Sequence, residues 1–168
     1  TPLMWKMKVG DCMSIRPRPK GIFTLDPQAH HHFMVATVTG VAPSISMVRS
    51  FLYQGWQGHR FYLLQGASYQ DELTYYQELA SLAAQHPDNV KYVPAVSRPQ
   101  EARNSGWPGA KGRVNLIVQE YLTKFQPPQE DTVVYTCGHP GMIADIKVSL
   151  AGYAAEKLKC GSTSDGVA

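Results

Sequence analysis

Long apolar runs are missing from this 168-residue chain: stretches such as Phe33 to Ala36 and Phe61 to Leu64 fall far short of the roughly 20 residues that a membrane-spanning helix needs. No membrane span is expected. Cysteine is also scarce. Cys12, Cys137 and Cys160 lie far apart, form no C-x-x-C pair and do not make the even count of a disulfide framework, which fits a reducing, cytoplasmic setting. Thr1 to Lys8 lacks the apolar stretch and small-residue cleavage site of a signal peptide. The chain opens on Thr1 rather than Met, so an upstream start is expected. Neither charge sign dominates: 16 Lys and Arg against 13 Asp and Glu leave a net +3, too little to point to nucleic acid as a partner. The excess sits in residues 1 to 30, where Lys6, Lys8, Arg16, Arg18 and Lys20 face only Asp11 and Asp26. That basic edge could steer an acidic protein partner, or it is simply a solvated surface. Repeats, low-complexity tracts, H-E-x-x-H, G-x-S-x-G and G-x-x-x-x-G-K-[ST] are all absent, which removes support for zinc hydrolase, serine hydrolase and P-loop readings.

What is present is the profile of a soluble globular protein with many loops: 43% apolar and 17% charged residues, 14 Gly and 12 Pro. The length suits one domain, or one and a fragment. From residue 33 onward short apolar runs alternate with amphipathic stretches. The spacing predicts strands over Phe33 to Thr37, Phe61 to Gln65, Val90 to Val96 and Thr132 to Cys137. Each is followed by a helix: Pro43 onward with Ile45, Val48, Phe51 and Leu52 on one face; Leu73, Tyr76, Leu79, Leu82 and Ala83; Val114, Ile117, Val118, Tyr121 and Leu122; and Pro140 onward with Ile143, Ile146, Leu150 and Tyr153. Four β-α units of this kind read as an α/β fold with a doubly wound parallel sheet of the nucleotide-binding type, whose ligands sit at the carboxyl ends of the strands.

Residues 1 to 27 do not join that rhythm. They alternate loosely, carry Pro17 and Pro19, and end in G-I-F-T-L from Gly21 to Leu25, the pattern of the last one or two strands of an antiparallel unit. The α/β domain is expected over 28–160 and a flexible tail over 161–168.

Three of the turns after the strands carry candidate chemistry. Ala36 to Ser46 reads A-T-V-T-G-V-A-P-S-I-S, in which small residues let backbone amides approach a phosphate while Pro43 places a helix N-terminus against it. The plain alternative is a tight strand-to-helix turn. Ser97 and Arg98, with Gly112 and Arg113 further on, bring a hydroxyl and two guanidinium forks to a strand end, which suits a phosphate monoester such as the 2′-phosphate of NADP. Lys111 could add charge. Otherwise these are surface arginines beside a long loop. Cys137 to Ile143 reads C-G-H-P-G-M-I, a thiol at a strand tip whose pKa a following helix N-terminus can lower, or else a structural cysteine. His30, His31 and His32 are adjacent, but consecutive strand residues point in alternating directions and cannot easily share one ion, so no metal site is assigned.

Together these residues resemble the ferredoxin–NADP reductase superfamily over about residues 7 to 158, the bacterial flavodoxin/ferredoxin–NADP reductases most of all. M-K-V-G-D-C-M-S-I-R-P-R-P-K-G-I-F-T-L is similar to the end of that family's flavin-binding barrel. A-T-V-T-G-V-A-P resembles its phosphate loop A-T-G-T-G-I-A-P, V-S-R with the later G-R-V its 2′-phosphate site, and C-G-H-P-G-M-I its turn C-G-N-P-x-M-I.

The resemblance implies an NADP-binding domain of the ferredoxin reductase C-terminal type, preceded by remnant strands of a flavin barrel. It further implies that Thr37, Thr39, Gly40, Ala42 and Pro43 line the pyrophosphate, that Ser97, Arg98 and Arg113 hold the 2′-phosphate, and that Cys137, Gly138, Pro140 and Met142 lie near the nicotinamide. The complete enzyme passes a hydride between NADPH and FAD and exchanges electrons with ferredoxin or flavodoxin, the protein supplying orientation rather than an acid or base. Cys137, the one catalytic candidate, is then a positioning residue. The chain departs from the family at Val38, where a glycine is usual, and at Ser68, which replaces an arginine. The family's R-x-Y-S and G-x-x-[ST] flavin motifs would precede residue 1, so the chain as it stands should not hold FAD tightly. Ala154 to Ala168 contains no aromatic to stack on a flavin. The alternatives are the reductase component of an oxygenase or flavohaemoglobin-like system, and a non-catalytic NADP(H)-binding module.

Overall fold

The computed structural model describes residues 3–15, 17–18, 21, 23–55, 57–151 and 158–162. Strand β1 (His31–Thr37) carries an unbroken apolar run from Phe33 to Ala36 because both faces are covered: Phe33 and Val35 enter one core, Met34 and Ala36 the other. Helix α1 (Ala42–Gln54) follows and ends at Gly55 in the left-handed conformation. Then come β2 (Arg60–Ala67), α2 (Tyr76–Gln85), β3 (Val90–Val96), β4 (Ala110–Lys111), α3 (Val114–Phe125), β5 (Thr132–Gly138), α4 (Pro140–Ser149) and β6 (Leu158–Ser162).

All six strands run parallel in the order β4-β3-β2-β1-β5-β6. Ile45, Val48 and Phe51 of α1 and Leu79 of α2 pack on one face; Val114, Val118 and Leu122 of α3 with Met142, Ile143 and Ile146 of α4 pack on the other. The sheet is doubly wound, as the alternation of runs predicts. The chain moves outward from β1 to β4, then returns to lay β5 on the opposite flank of β1. The strand order therefore reverses between β1 and β5, where such sheets open a ligand crevice at their carboxyl ends. No helix among the described residues is long and apolar enough to cross a membrane.

Four details differ from the sequence reading. Leu73 precedes α2 and packs with Ala67, Val96 and Trp107 in a separate small cluster. Strands β4 and β6 are additions, one only two residues long and the other, L-K-C-G-S, too polar to announce itself. Both exist through backbone pairing with a neighbour. Gly161 and Ser162 thus belong to the sheet rather than to a tail, while Tyr153 and residues 163–168 lie outside the described residues. The described residues before His31 form no strand, only a single 3-10 turn at Met4–Lys6. A strand needs a partner for its backbone groups, and none of the described residues supplies one there. Arg16, Lys20 and Ile22 lie outside the described residues.

The end of that leading segment is nevertheless docked. Phe23 and Leu25 pack on the α1/α2 side of the core, and the Asp26 amide donates to the Tyr135 hydroxyl at 2.9 Å. Lys159 of β6 donates to the Thr24 carbonyl at 3.1 Å and lies 3.7 Å from the Asp26 carboxylate. The three histidines diverge as strand alternation requires. His30 pairs with Asp131, His31 with the Tyr62 hydroxyl at 2.9 Å, and buried His32 with His59 at 3.0 Å while it stacks on Phe61.

Candidate nucleotide-binding cleft

At the carboxyl end of β1 the chain turns through one 3-10 turn, Val38–Val41, into α1, with Pro43 in its first turn. Val38 holds φ +45°, the left-handed region that a β-branched residue rarely enters. Its carbonyl is clamped there, accepting from the Thr74 hydroxyl at 2.8 Å and the Gln65 amide nitrogen at 3.1 Å. Gln65 is fully buried and is itself held by the Tyr92 hydroxyl, which donates to Oε1 at 2.6 Å. Gly40 is a packing requirement: a Cβ there would overlap the backbone carbonyl of Cys137 on β5.

A cleft of about 470 Å³ opens at these strand ends. Thr37 and Val38 form one wall, Gly66, Ala67 and Ser68 at the end of β2 the floor, Ser97 and Arg98 after β3 with Arg113, Val114 and Asn115 at the start of α3 the far side, and His139, Gly141, Met142 and Asp145 the wall from α4. Residues from four separate β-α turns meet here. Buried Asn104 organises two of them, its Nδ2 donating to the Ser68 and Arg98 carbonyls at 2.9 Å each and its Oδ1 accepting from the Gln70 amide at 2.8 Å. Asn115 ties α3 to α4 by donating to Asp145 at 2.6 Å. His139 caps α4, its Nδ1 accepting from the Gly141 amide at 3.1 Å.

The two arginines differ sharply. Arg113 is the N-cap residue of α3, and its guanidinium has no hydrogen-bonding or ionic partner among the described residues. Arg98 Nη1 donates to the Tyr69 hydroxyl at 2.9 Å and lies 3.5 Å from Glu101. Those neighbours, Tyr69 first, hold its pKa above the usual arginine value.

Residues 34–148 match the family described as oxidoreductase NAD-binding domain. The chain belongs to that family. It is 34% identical over 137 residues to the chloroplastic root ferredoxin–NADP reductase of Oryza sativa subsp. japonica, covering 79% of this chain and 35% of that protein. It is 30% identical over 142 residues to NADH-cytochrome b5 reductase 1 of Candida glabrata, covering 84% of this chain and 48% of that protein. Among solved structures, a ferredoxin NADP+ reductase from Neisseria gonorrhoeae with bound FAD and NADP superposes with a TM-score of 0.63 at 19% identity, over 81% of this chain and 57% of that one. The chain spans about half, or less, of the length of the curated relatives it matches first. It is the NAD(P)-binding domain of the ferredoxin–NADP reductase and cytochrome b5 reductase group.

In this NAD(P)-binding domain five of the residues singled out from sequence, Thr37, Ser97, Arg98, Arg113 and Met142, share the cleft walls. Thr39, Gly40, Ala42, Pro43, Lys111, Cys137, Gly138 and Pro140 stand outside those walls. Thr39 is exposed, Ala42 and Pro43 are half-buried at the helix entrance, and Gly138 is folded against Thr37. Cys137 is half-buried, with its sulfur beside Gly161, and burial pushes its thiol pKa up. That shift is opposite in direction to the lowering expected from the neighbouring helix N-terminus, and its cause is desolvation. Among the described residues no group of three or more His, Cys, Asp or Glu is placed to hold a metal ion.

Sequence reasoning missed Asn104, Asn115, His139 and Asp145. His139 precedes Pro140 in the N-cap position, and Asp145 lies three residues after Met142 on the same helix face, so both were within reach of helix periodicity. Asn104 has no local signal, because its partners come from other turns.

Proposed function

We infer that this domain binds NADP(H) in the cleft between the β1 and β5 strand ends and serves a flavoprotein oxidoreductase. In the complete protein a hydride would pass between NADPH and FAD, and electrons would be exchanged with a small carrier protein such as ferredoxin or flavodoxin. The observation that carries this reading is the far wall of the cleft. There Arg113, unpartnered among the described residues, meets Arg98 and Ser97, with Ser68 of the floor, at the carboxyl ends of parallel strands. Guanidinium forks and hydroxyls of that kind recognise a phosphate monoester.

The 2′-phosphate is assigned to Ser97, Arg98 and Arg113. The pyrophosphate is assigned to Thr37, Thr39, Gly40, Ala42 and Pro43 at the entrance of α1, where the helix dipole favours an anion. Cys137, Gly138, Pro140 and Met142 would flank the nicotinamide. The bound cofactors supply the redox chemistry; these residues bind and orient.

The test is calorimetric titration with 2′-phospho-AMP and 5′-AMP. Loss of a charge-assisted phosphate contact costs about 1.5–3 kcal/mol, roughly ten- to a hundredfold in affinity. Wild type is expected to prefer 2′-phospho-AMP and Arg113→Ala to lose that preference. Equal affinities would remove the NADP assignment. A second reading, use of NADH, is favoured by Arg98 being already engaged by Tyr69 and Glu101 and by the likeness to NADH-cytochrome b5 reductases.

A further inference from the structure

We propose that Glu101 is a specificity-determining residue that competes with a nucleotide 2′-phosphate for Arg98, with Tyr69 as its tether. The inference rests on the NAD(P) reading of the cleft and concerns which nucleotide the cleft selects.

The geometry is a closed triangle. The Tyr69 hydroxyl donates to Glu101 Oε2 at 2.5 Å, Arg98 Nη1 donates to the same hydroxyl at 2.9 Å, and Arg98 Nη1 lies 3.5 Å from Glu101 Oε1. Arg98 lines the cleft and Glu101 follows it by three residues, so the carboxylate reaches the guanidinium without any movement of the loop. The loop itself is fixed: the Glu101 amide donates to the Arg98 carbonyl at 3.1 Å, and Asn104 pins that same carbonyl. Tyr69 is fixed in turn, because the Arg103 guanidinium lies 4.0 Å over its ring and is held by Asp71 at 2.7 Å. An anionic oxygen is therefore already supplied to Arg98 by the protein.

A 2′-phosphate reaching Arg98 must displace this carboxylate or share the guanidinium with it, at the cost of repulsion between two anions. A ribose 2′-hydroxyl meets no such cost, and a carboxylate is itself a suitable acceptor for it. Among the described residues Arg113 has no comparable internal anion, so it supplies the attraction for phosphate while Glu101 tempers it. The two cations at one cleft thus have different duties, and the ratio of NADP to NAD affinity is set by the contest at Arg98.

The pair is solvent-exposed, which limits the effect to about two- to fivefold in affinity. The experiment is a titration of the full chain with 2′-phospho-AMP and with 5′-AMP, in wild type, Glu101→Gln, Arg98→Ala and the double variant, at low and moderate salt. Glu101→Gln is expected to tighten 2′-phospho-AMP about two- to fivefold with 5′-AMP unchanged or weaker. In the Arg98→Ala background the same substitution should give a smaller gain, because no guanidinium remains to be freed. Tyr69→Phe, which keeps the ring and removes the tether, should shift the ratio in the same direction by less. An unchanged ratio in Glu101→Gln overturns the inference while leaving the NADP site standing. An equal gain with and without Arg98 also overturns it, since that outcome is plain charge repulsion. Failure of every variant to bind either nucleotide overturns both this inference and the reading beneath it.

Discussion

The Thr37 hydroxyl accepts the backbone amide of His139 at 3.0 Å, a contact that joins the end of β1 to the β5-α4 turn across the point where strand order reverses. It holds the mouth of the cleft at one width. Gly138 makes the approach possible, since it sits at φ +141° and a Cβ there would overlap the Thr37 side chain.

Gly138→Ala therefore combines a backbone conformation reserved for glycine with a collision against the Thr37 side chain, and is expected to lose about 2–4 kcal/mol of stability. Thr37→Val keeps the shape but removes the acceptor of the solvent-exposed His139 amide, for about 0.5–1.5 kcal/mol. Thr37→Ser should restore most of it. Urea denaturation of the three variants reads these values, and a Gly138→Ala protein as stable as wild type would refute the close packing described.

Val38 predicts a separation of stability from binding. Val38→Gly relieves about 1–2 kcal/mol of left-handed strain. It also gives up about 0.5–1 kcal/mol to unfolded-state freedom, plus the side chain's packing against the small cluster of Ala67, Leu73, Val96 and Trp107. Net stability should stay within about 1 kcal/mol of wild type. The backbone of the turn would meanwhile become accessible, and NADP affinity is expected to rise about three- to tenfold, or 0.7–1.4 kcal/mol. Val38→Ala, which keeps a Cβ, should gain less. Titration with NADP measures both, and an unaltered affinity in Val38→Gly would show that the side chain obstructs nothing.

The parts of this fold that were legible are those where burial imposes a pattern. Strands covered on both faces must be continuous apolar runs, and Phe33 to Ala36 and Phe61 to Leu64 are such runs; α3 buries one stripe, and Val114, Val118 and Leu122 mark it. Edge strands carry no such demand. Lys159 and Cys160 sit in β6 because β5 offers backbone groups to pair with, and nothing in their side chains says so. The loose alternation of residues 7 to 15 reads as a strand, yet the described residues there have no neighbour to pair with and remain irregular. The cleft follows the same logic. Ser97, Arg98 and Arg113 lie at turns that follow from the strand pattern. Asn104 acts through Ser68, 36 residues away, so its importance appears only once the β2 and β3 turns are brought together.

Acid should weaken the domain before carboxylates begin to titrate. Burial lowers the pKa of His31, His32 and His59, and that of His32 falls to about 3. A histidine held neutral in the folded state takes up its proton mainly on unfolding, so its contribution is complete above pH 6.5 and is lost as pH falls toward the folded value. For His32 the slope is about 1.4 kcal/mol per pH unit between 6.5 and its folded value, and His31 and His59 act in the same direction. Urea unfolding at pH 7.5, 6 and 5 should show a progressive loss, and His32→Phe, stacked on Phe61, should flatten the slope whatever its stability at neutral pH. Parallel slopes in the two proteins would remove His32 as a cause.

The cysteines separate packing from reactivity. Cys12 is exposed, whereas Cys137 is half-buried beside Gly161 with its thiol pKa raised by desolvation, and Cys160 is half-buried with its sulfur accepting from the Thr136 hydroxyl at 3.3 Å. Only the thiolate attacks a disulfide reagent, so rate follows both access and the thiolate fraction. At pH 8 Ellman's reagent is expected to modify one thiol rapidly and the other two slowly. Cys12→Ser should abolish the fast phase. Cys137→Ser should retain nucleotide affinity within about twofold, because the sulfur lies outside the cleft walls and its replacement removes no phosphate contact. A fast phase that survives Cys12→Ser and disappears in Cys137→Ser would mean that the helix behind Cys137 activates it after all, and that the thiol turns toward the cleft rather than toward Gly161.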